Sequence, residues 1–197
     1  QLSQSQRLKL LRQDVLAALK IGGNVRVRLE EAPSGLFVAV DGRRIAVPSP
    51  LRWKLYRKGW DARLDRLERE YGVNRHVTLT RDSIVLDVGA NAGEFAHVCA
   101  RYGARIHCFE PDPAVMACLR RNIEPLTNAE AHDAVIWKAD DEIDFALRIV
   151  RAVALDTGAE RRGARTHEAC RAILERNGFF VIDEKIGTRL MTYGLRR

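Results

Sequence analysis

The residues best placed to do chemistry are Asp87-Val88-Gly89-Ala90-Asn91-Ala92-Gly93, followed at once by Glu94-Phe95, and a second acid, Glu110, seventeen positions beyond Gly93. The first run lies where an apolar stretch, SIVLDV (83–88), gives way to a helical one. Gly89 allows a tight turn there, and Ala90 and Gly93 keep bulky side chains away from a ligand. The start of the helix offers unpaired N–H groups. Glu110 closes a second apolar stretch, ARIHCFE (104–110). A carboxylate at the carboxyl end of a strand is placed to accept hydrogen bonds from both hydroxyls of a nucleoside ribose.

The spacing separates two classes of cofactor. A dinucleotide fingerprint needs G-x-G-x-x-G, whereas this chain has D-x-G-x-x-x-G, with Asn91 in the region that a pyrophosphate must approach. Asp87 would repel a pyrophosphate but suits a cationic amino-acid head. That is the pattern of S-adenosylmethionine, whose sulfonium and ammonium are both favoured by nearby carboxylates. Singly, Gly89 and Gly93 read as packing glycines and Glu110 as a solvated strand end. Together, in this strand context, they point to the cofactor.

The elements that must position these residues follow from periodicity. Beginning at residue 83, strand and helix alternate: 83–88, helix 91–103, strand 104–110, helix 111–123 opened by Pro, and strand 129–137. We expect the strands at 83–88 and 104–110 to be fully buried. Such alternation predicts a doubly wound, Rossmann-like α/β fold with a parallel sheet. A helix over 166–179, with Thr166 as N-cap and Gly178 as its stop, precedes strands 179–185 and 189–195, an antiparallel hairpin at the end of that sheet. Ahead of this core, residues 1–20 place Leu8, Leu11, Val15, Leu16 and Leu19 on one helical face. Gly22-Gly23 end the helix. Strands 25–30, 35–40 and 43–48 form a meander, with Asp41-Gly42 as a hairpin turn. Residues 51–72 read as one helix with Leu64, Leu67 and Tyr71 inward. The expected organisation is a helix and β-meander over 1–50 and a cofactor-binding domain over 51–197.

Composition narrows the class. In 197 residues, 46% are hydrophobic and 30% charged, which suits a globular chain and excludes a disordered one. No run approaches the ~18 apolar residues of a membrane span, and no secretory h-region follows Gln1, which itself suggests a missing or processed N-terminus. The net charge of +7 is dispersed, with no Lys/Arg block longer than two, so nucleic acid is not the expected partner. The cysteines, Cys99, Cys108, Cys118 and Cys170, form no C-x-x-C pair. No zinc is expected from them and no metal ligands are assigned. Cys99 and Cys108 read as buried free thiols, and a reducing, cytoplasmic setting is expected.

VLDVGANAGEF, then FEPDP, then AHDAVIW followed by DEIDF, resembles the FkbM-type S-adenosylmethionine-dependent methyltransferases, class I enzymes that commonly methylate hydroxyl groups of sugars and other small molecules. The resemblance covers about residues 52–148 and resumes at 166–195. It implies that Asp87 and the Gly89–Gly93 loop, with Ala90, Asn91 and the adjoining Glu94, hold the methionyl end of the cofactor. Glu110 would take the ribose, with Pro111 and Asp112 shaping the adenine edge. Asp133 would accept the adenine amine, Ala134 would pack its ring, and Trp137 would cover the site or serve as a core aromatic. A small-molecule hydroxyl acceptor, a glycan among the options, is the implied substrate. For residues 1–50 a lid or homodimer element is the expected role.

One region departs from the pattern. After the third strand a class I fold needs about two more βα units of ~30 residues each, and only 138–165 are available. LDTGAE (155–160) looks like two family segments abutted. We therefore expect further residues between Arg148 and Thr166 in the intact gene product, with a genuine deletion as the alternative. Asp156-Thr157-Gly158 spells an aspartic-protease triplet, but no second copy exists. A general base for a hydroxyl acceptor has four candidates, His132, Asp133, Glu160 and His167, and nothing in the sequence selects one. Two other readings stay open: an RNA methyltransferase, and a non-catalytic cofactor-binding protein.

Overall fold

The computed structural model describes residues 3–133, 150–157 and 166–196. The chain divides into two compact units, Gln1–Leu67 with Thr80–Val135, and Glu68–Leu79 with Ile136–Arg197.

The first unit opens with α1 (Gln4–Ala18), started by a capping box in which Ser3 and Gln6 satisfy each other's backbone N–H groups. Its buried face is not the expected one. Leu8, Leu11, Val15 and Leu19 are exposed. The inward residue is Gln13, whose Nε2 donates to the carbonyls of Val25 and Arg57 at 2.9 Å each. Helical spacing marks an apolar stripe, but a buried amide with two fixed acceptors outcompeted it for the inner side. The strands β1 (Arg28–Ala32), β2 (Gly35–Val40) and β3 (Arg43–Ala46) form the expected antiparallel meander. Asp41 and Gly42 are both left-handed at their turn.

The helix expected over 51–72 is broken in two. A 3-10 segment, Pro50–Tyr56, is followed by α2 (Trp60–Glu70). The break lies at Gly59, after which the Asp41 carboxylate accepts from Trp60 N–H at 2.8 Å and so caps α2. Leu64 and Leu67 are buried as expected.

Next come β4 (Ile84–Val88), α3 (Glu94–Arg101), β5 (Arg105–Phe109), α4 (Pro113–Ile123) and β6 (Ala129–His132). The three strands are parallel in the order β4-β5-β6. This is the expected alternation. The strands are not buried on both faces, however. Ile106 and Cys108 are fully buried on one face, whereas Ile84, Leu86 and Val88 on the other are 61%, 46% and 57% exposed. A doubly wound sheet needs helices on both faces. α3 packs on β5 and α4 on β6. Residues 134–149, which follow β6, are outside the described ones.

The second unit contains β7 (Ala152–Asp156), α5 (Thr166–Arg176), β8 (Phe180–Ile186) and β9 (Arg189–Leu195). The predicted hairpin β8–β9 forms. Among the described strands it pairs not with the parallel sheet but with β7, in an antiparallel sheet ordered β7-β9-β8. β7 has no counterpart among the strands expected from sequence. Leu174, Phe179 and Val181 form this unit's core, with Val153 and Leu155 against it. Thr157, the middle residue of the protease-like triplet, is buried and shares a hydrogen bond with Thr192 at 2.8 Å.

Candidate cofactor site

The loop between β4 and α3 is built by backbone hydrogen bonds to the end of β5. The N–H groups of Gly89 and Ala90 both donate to the Phe109 carbonyl, at 2.9 and 3.0 Å. Asn91, left-handed at φ 51°, donates its N–H to Glu110 Oε2 at 3.0 Å. The other oxygen, Oε1, accepts from Asp112 N–H at 3.1 Å. Glu110 is 8% exposed. Its carboxylate therefore clamps the glycine loop to the start of α4, and each oxygen retains lone-pair capacity for a further donor.

The two glycines of the motif serve different ends. A Cβ at Gly93 would come within 2.7 Å of Leu119 Cδ1, so this glycine lets α3 lie against α4 rather than making room for a ligand. A Cβ at Gly89 would meet nothing within 4 Å, so the open side of the loop is there. Ala90 and Ala92 are buried. Asp112 is the N-cap of α4 and accepts from Ala114 and Val115 N–H, next to an exposed Pro111. Asp133 is exposed just past β6, and His132 is half-buried on that strand. His167 lies in α5 of the other unit. Ala134, Trp137 and Glu160 fall outside the described residues.

Glu94 is held by a cluster with no local sequence signal. It is 4% exposed. Oε1 accepts from Arg52 Nη2 at 2.7 Å and from the Tyr56 hydroxyl at 2.9 Å, with Arg63 Nε at 3.5 Å. Burial alone would raise this carboxyl, but the Arg52 and Arg63 charges, with hydrogen bonds from Arg52 and Tyr56, outweigh it and hold Glu94 below its ordinary value. Arg52 also donates from Nη1 to Asn91 Oδ1 at 2.8 Å, tying the cluster to the loop. A second unsignalled anchor is Asn122. It donates to the carbonyls of Ala92 at 2.8 Å and Ala46 at 2.9 Å, and accepts from Ala46 N–H at 2.8 Å. The N-terminal meander is thereby bonded to the loop, a structural role in addition to the lid or dimer role expected from sequence.

Asp87 behaves differently from the other acids. Its carboxyl is pushed up to about 7, by desolvation first and then by the Glu94 and Glu110 carboxylates. A carboxyl that resists ionising beside two others marks a place where a cation is welcome. The sign of its stability contribution follows. A folded value above the unfolded one supports the fold below about pH 4, and this support is lost as pH rises through about 7. Asp87→Asn is therefore expected to melt at a higher temperature than the parent at pH 8, with the difference shrinking toward pH 4. Thermal melts across that range check it, and a variant less stable than the parent at pH 8 would make Asp87 a structural partner instead.

No protein-family model matches the chain. A 66-residue stretch is 36% identical to the 2-O-methyltransferase NoeI of Sinorhizobium fredii (strain NBRC 101917 / NGR234), covering 32% of this chain and 27% of that protein, so the match spans about a quarter of the curated relative. Among solved structures, Aeropyrum pernix fibrillarin, in complex with natively bound S-adenosyl-L-methionine, superposes with a TM-score of 0.52 at 14% identity, over 86% of this chain and 94% of that one. Magnesium protoporphyrin IX methyltransferase (ChlM) from Synechocystis PCC 6803, also with S-adenosylmethionine bound, gives 0.51 at 14% identity, over 75% and 85%. At such identities the agreement is one of fold, a Rossmann-like α/β fold that this chain shares with these two methyltransferases.

Proposed function

We propose that this chain binds S-adenosylmethionine and transfers its methyl group to a hydroxyl of a sugar or another small molecule, as the resemblance to the FkbM type implies. The observation that carries the reading is the loop itself: D-x-G-x-x-x-G closed by the Glu110 carboxylate, which accepts from Asn91 N–H and Asp112 N–H. The stretch shared with a 2-O-methyltransferase supports the choice of a hydroxyl acceptor.

When bound, the cofactor supplies an electrophilic methyl carbon on a sulfonium. Asp87, ionised by the cofactor's positive charge, balances that charge at the end of β4. Glu110 takes the ribose hydroxyls while keeping its two backbone donors, so binding adds to a network already oriented. Arg52 and Glu94 hold Asn91 and the start of α3 from behind.

A second reading, a cofactor-binding protein without transfer, draws on the short interval between β6 and β7. Both are separated by incubating the protein with methyl-labelled S-adenosylmethionine and a panel of oligosaccharides and small polyols. Labelled ether product with stoichiometric S-adenosylhomocysteine is expected. Tight cofactor binding without product from any hydroxyl acceptor would favour the second reading.

A further inference from the structure

Beside the cofactor loop, the parallel pairing of β5 and β6 assembles three metal-binding side chains that are distant in sequence. The register sets His107 opposite Glu130 and Phe109 opposite His132. Side chains two apart on a strand share a face, so all four project from the same side of the sheet. On it, His107 Nδ1 lies 3.1 Å from His132 Nε2 and 3.4 Å from Glu130 Oε2, and His132 Nε2 lies 3.9 Å from Glu130 Oε2. Phe109 stacks on His132 at 4.8 Å between centroids and 20° between planes, which fixes the plane of that imidazole.

From this geometry we infer that His107, Glu130 and His132 form a binding site for a late first-row divalent ion, zinc in the first instance. Ligand bonds of about 2.0–2.1 Å in tetrahedral array put donor atoms roughly 3.3–3.4 Å apart, which lies within the spread of the three observed separations. Two imidazoles and one carboxylate suit zinc and its neighbours. They supply too few oxygens for calcium, and magnesium prefers carboxylate and water to imidazole. Three protein ligands leave a fourth position, and the site is open to solvent, since the side chains of His107, His132 and Glu130 are 25%, 37% and 63% exposed. With the ion bound, both facing ring nitrogens serve as acceptors, so His107 carries its proton on Nε2 and His132 on Nδ1. Without it, one of those facing nitrogens must donate to the other. The ion would also pin the ends of two strands: Glu110 follows Phe109 directly, and Asp133 follows His132.

The test uses the whole chain, stripped with a chelator and titrated with zinc in competition with an indicator of known affinity, alongside its thermal shift. Expected are one equivalent bound, a rise in melting temperature, and affinity weakened at least about tenfold in each of His107→Ala and His132→Ala. Exposed Glu130→Gln is expected to fold normally and bind more weakly than the parent. Cobalt as a probe should give the visible d–d bands of a tetrahedral nitrogen–oxygen site without thiolate charge-transfer bands. Cys170→Ser, which changes the half-buried thiol, should bind zinc like the parent. Unchanged zinc affinity in Glu130→Gln and in the His107→Ala/His132→Ala double variant would overturn the site. So would a cobalt spectrum dominated by thiolate bands, or no binding at all. The cluster would then be a hydrogen-bonded histidine pair.

Discussion

Glu110→Gln is expected to bind S-adenosylmethionine one to two orders of magnitude more weakly than the parent, and to melt at a lower temperature. Both oxygens of the native carboxylate accept backbone N–H groups, from Asn91 and from Asp112. A glutamine has one oxygen. Its amide NH2 must face either Asn91 N–H or Asp112 N–H, donor against donor, at a residue that is nearly buried. An unsatisfied buried donor costs about 1–3 kcal/mol, and hydrogen bonds to a charged acceptor contribute about 1.5–3 kcal/mol. At 1.4 kcal/mol per tenfold, loss of the charged ribose acceptor alone accounts for the drop in affinity. From sequence alone Glu110 is a ligand residue at a strand end. The clamp seen here adds the loss of stability. The contrasting variant is Asp112→Asn, since Asn caps a helix about as well as Asp, and its cofactor affinity should fall much less than that of Glu110→Gln. Isothermal titration of both variants checks the pair, and parent-like affinity in Glu110→Gln would remove Glu110 from the site.

Glu94→Gln is expected to destabilise the first unit strongly, by about 3–5 kcal/mol, because it strips the partner from buried charges. Glu94 is 4% exposed and faces Arg52 and Arg63, themselves largely buried. A neutral amide leaves two guanidinium groups in a poorly solvated site. With total stabilities of about 5–15 kcal/mol, such a loss brings the chain close to unfolding at ambient temperature. The sign of the pH dependence follows from the depressed value of Glu94. Its contribution is present above the ordinary carboxylate range and is lost as pH falls through the lower folded value. The parent should therefore lose stability in acid through this group, and the variant should not. Urea unfolding at neutral and acid pH measures both, and a loss below about 1 kcal/mol at neutral pH would mean the cluster is solvated.

The comparison of these residues shows what the sequence could reveal. The turn at Asp87–Gly93 and the place of Glu110 at a strand end were legible because both are written in short local spacings. The Asp41-Gly42 turn was legible for the same reason. Arg52, Tyr56 and Arg63 were not, since they meet Glu94 from a 3-10 segment and a helix some thirty to forty positions earlier. Gly93 was read as clearance for a ligand, whereas the neighbour it accommodates is Leu119 of α4, a contact made only by the fold. Periodicity found α1 but chose the wrong inner face, because Leu8, Leu11, Val15 and Leu19 repeat as a core stripe does while Gln13 has the buried acceptors. An apolar run such as SIVLDV cannot say whether one face or two is covered. His107, Glu130 and His132 have no motif at all, because strand register brings them together.

The most direct measurement of the central assignment is a calorimetric titration of the purified chain with S-adenosylmethionine, S-adenosylhomocysteine and NAD. Expected is one-to-one binding of the first two, lost in large part in Glu110→Gln, and no binding of NAD. Binding of NAD with no heat from S-adenosylmethionine would contradict the assignment.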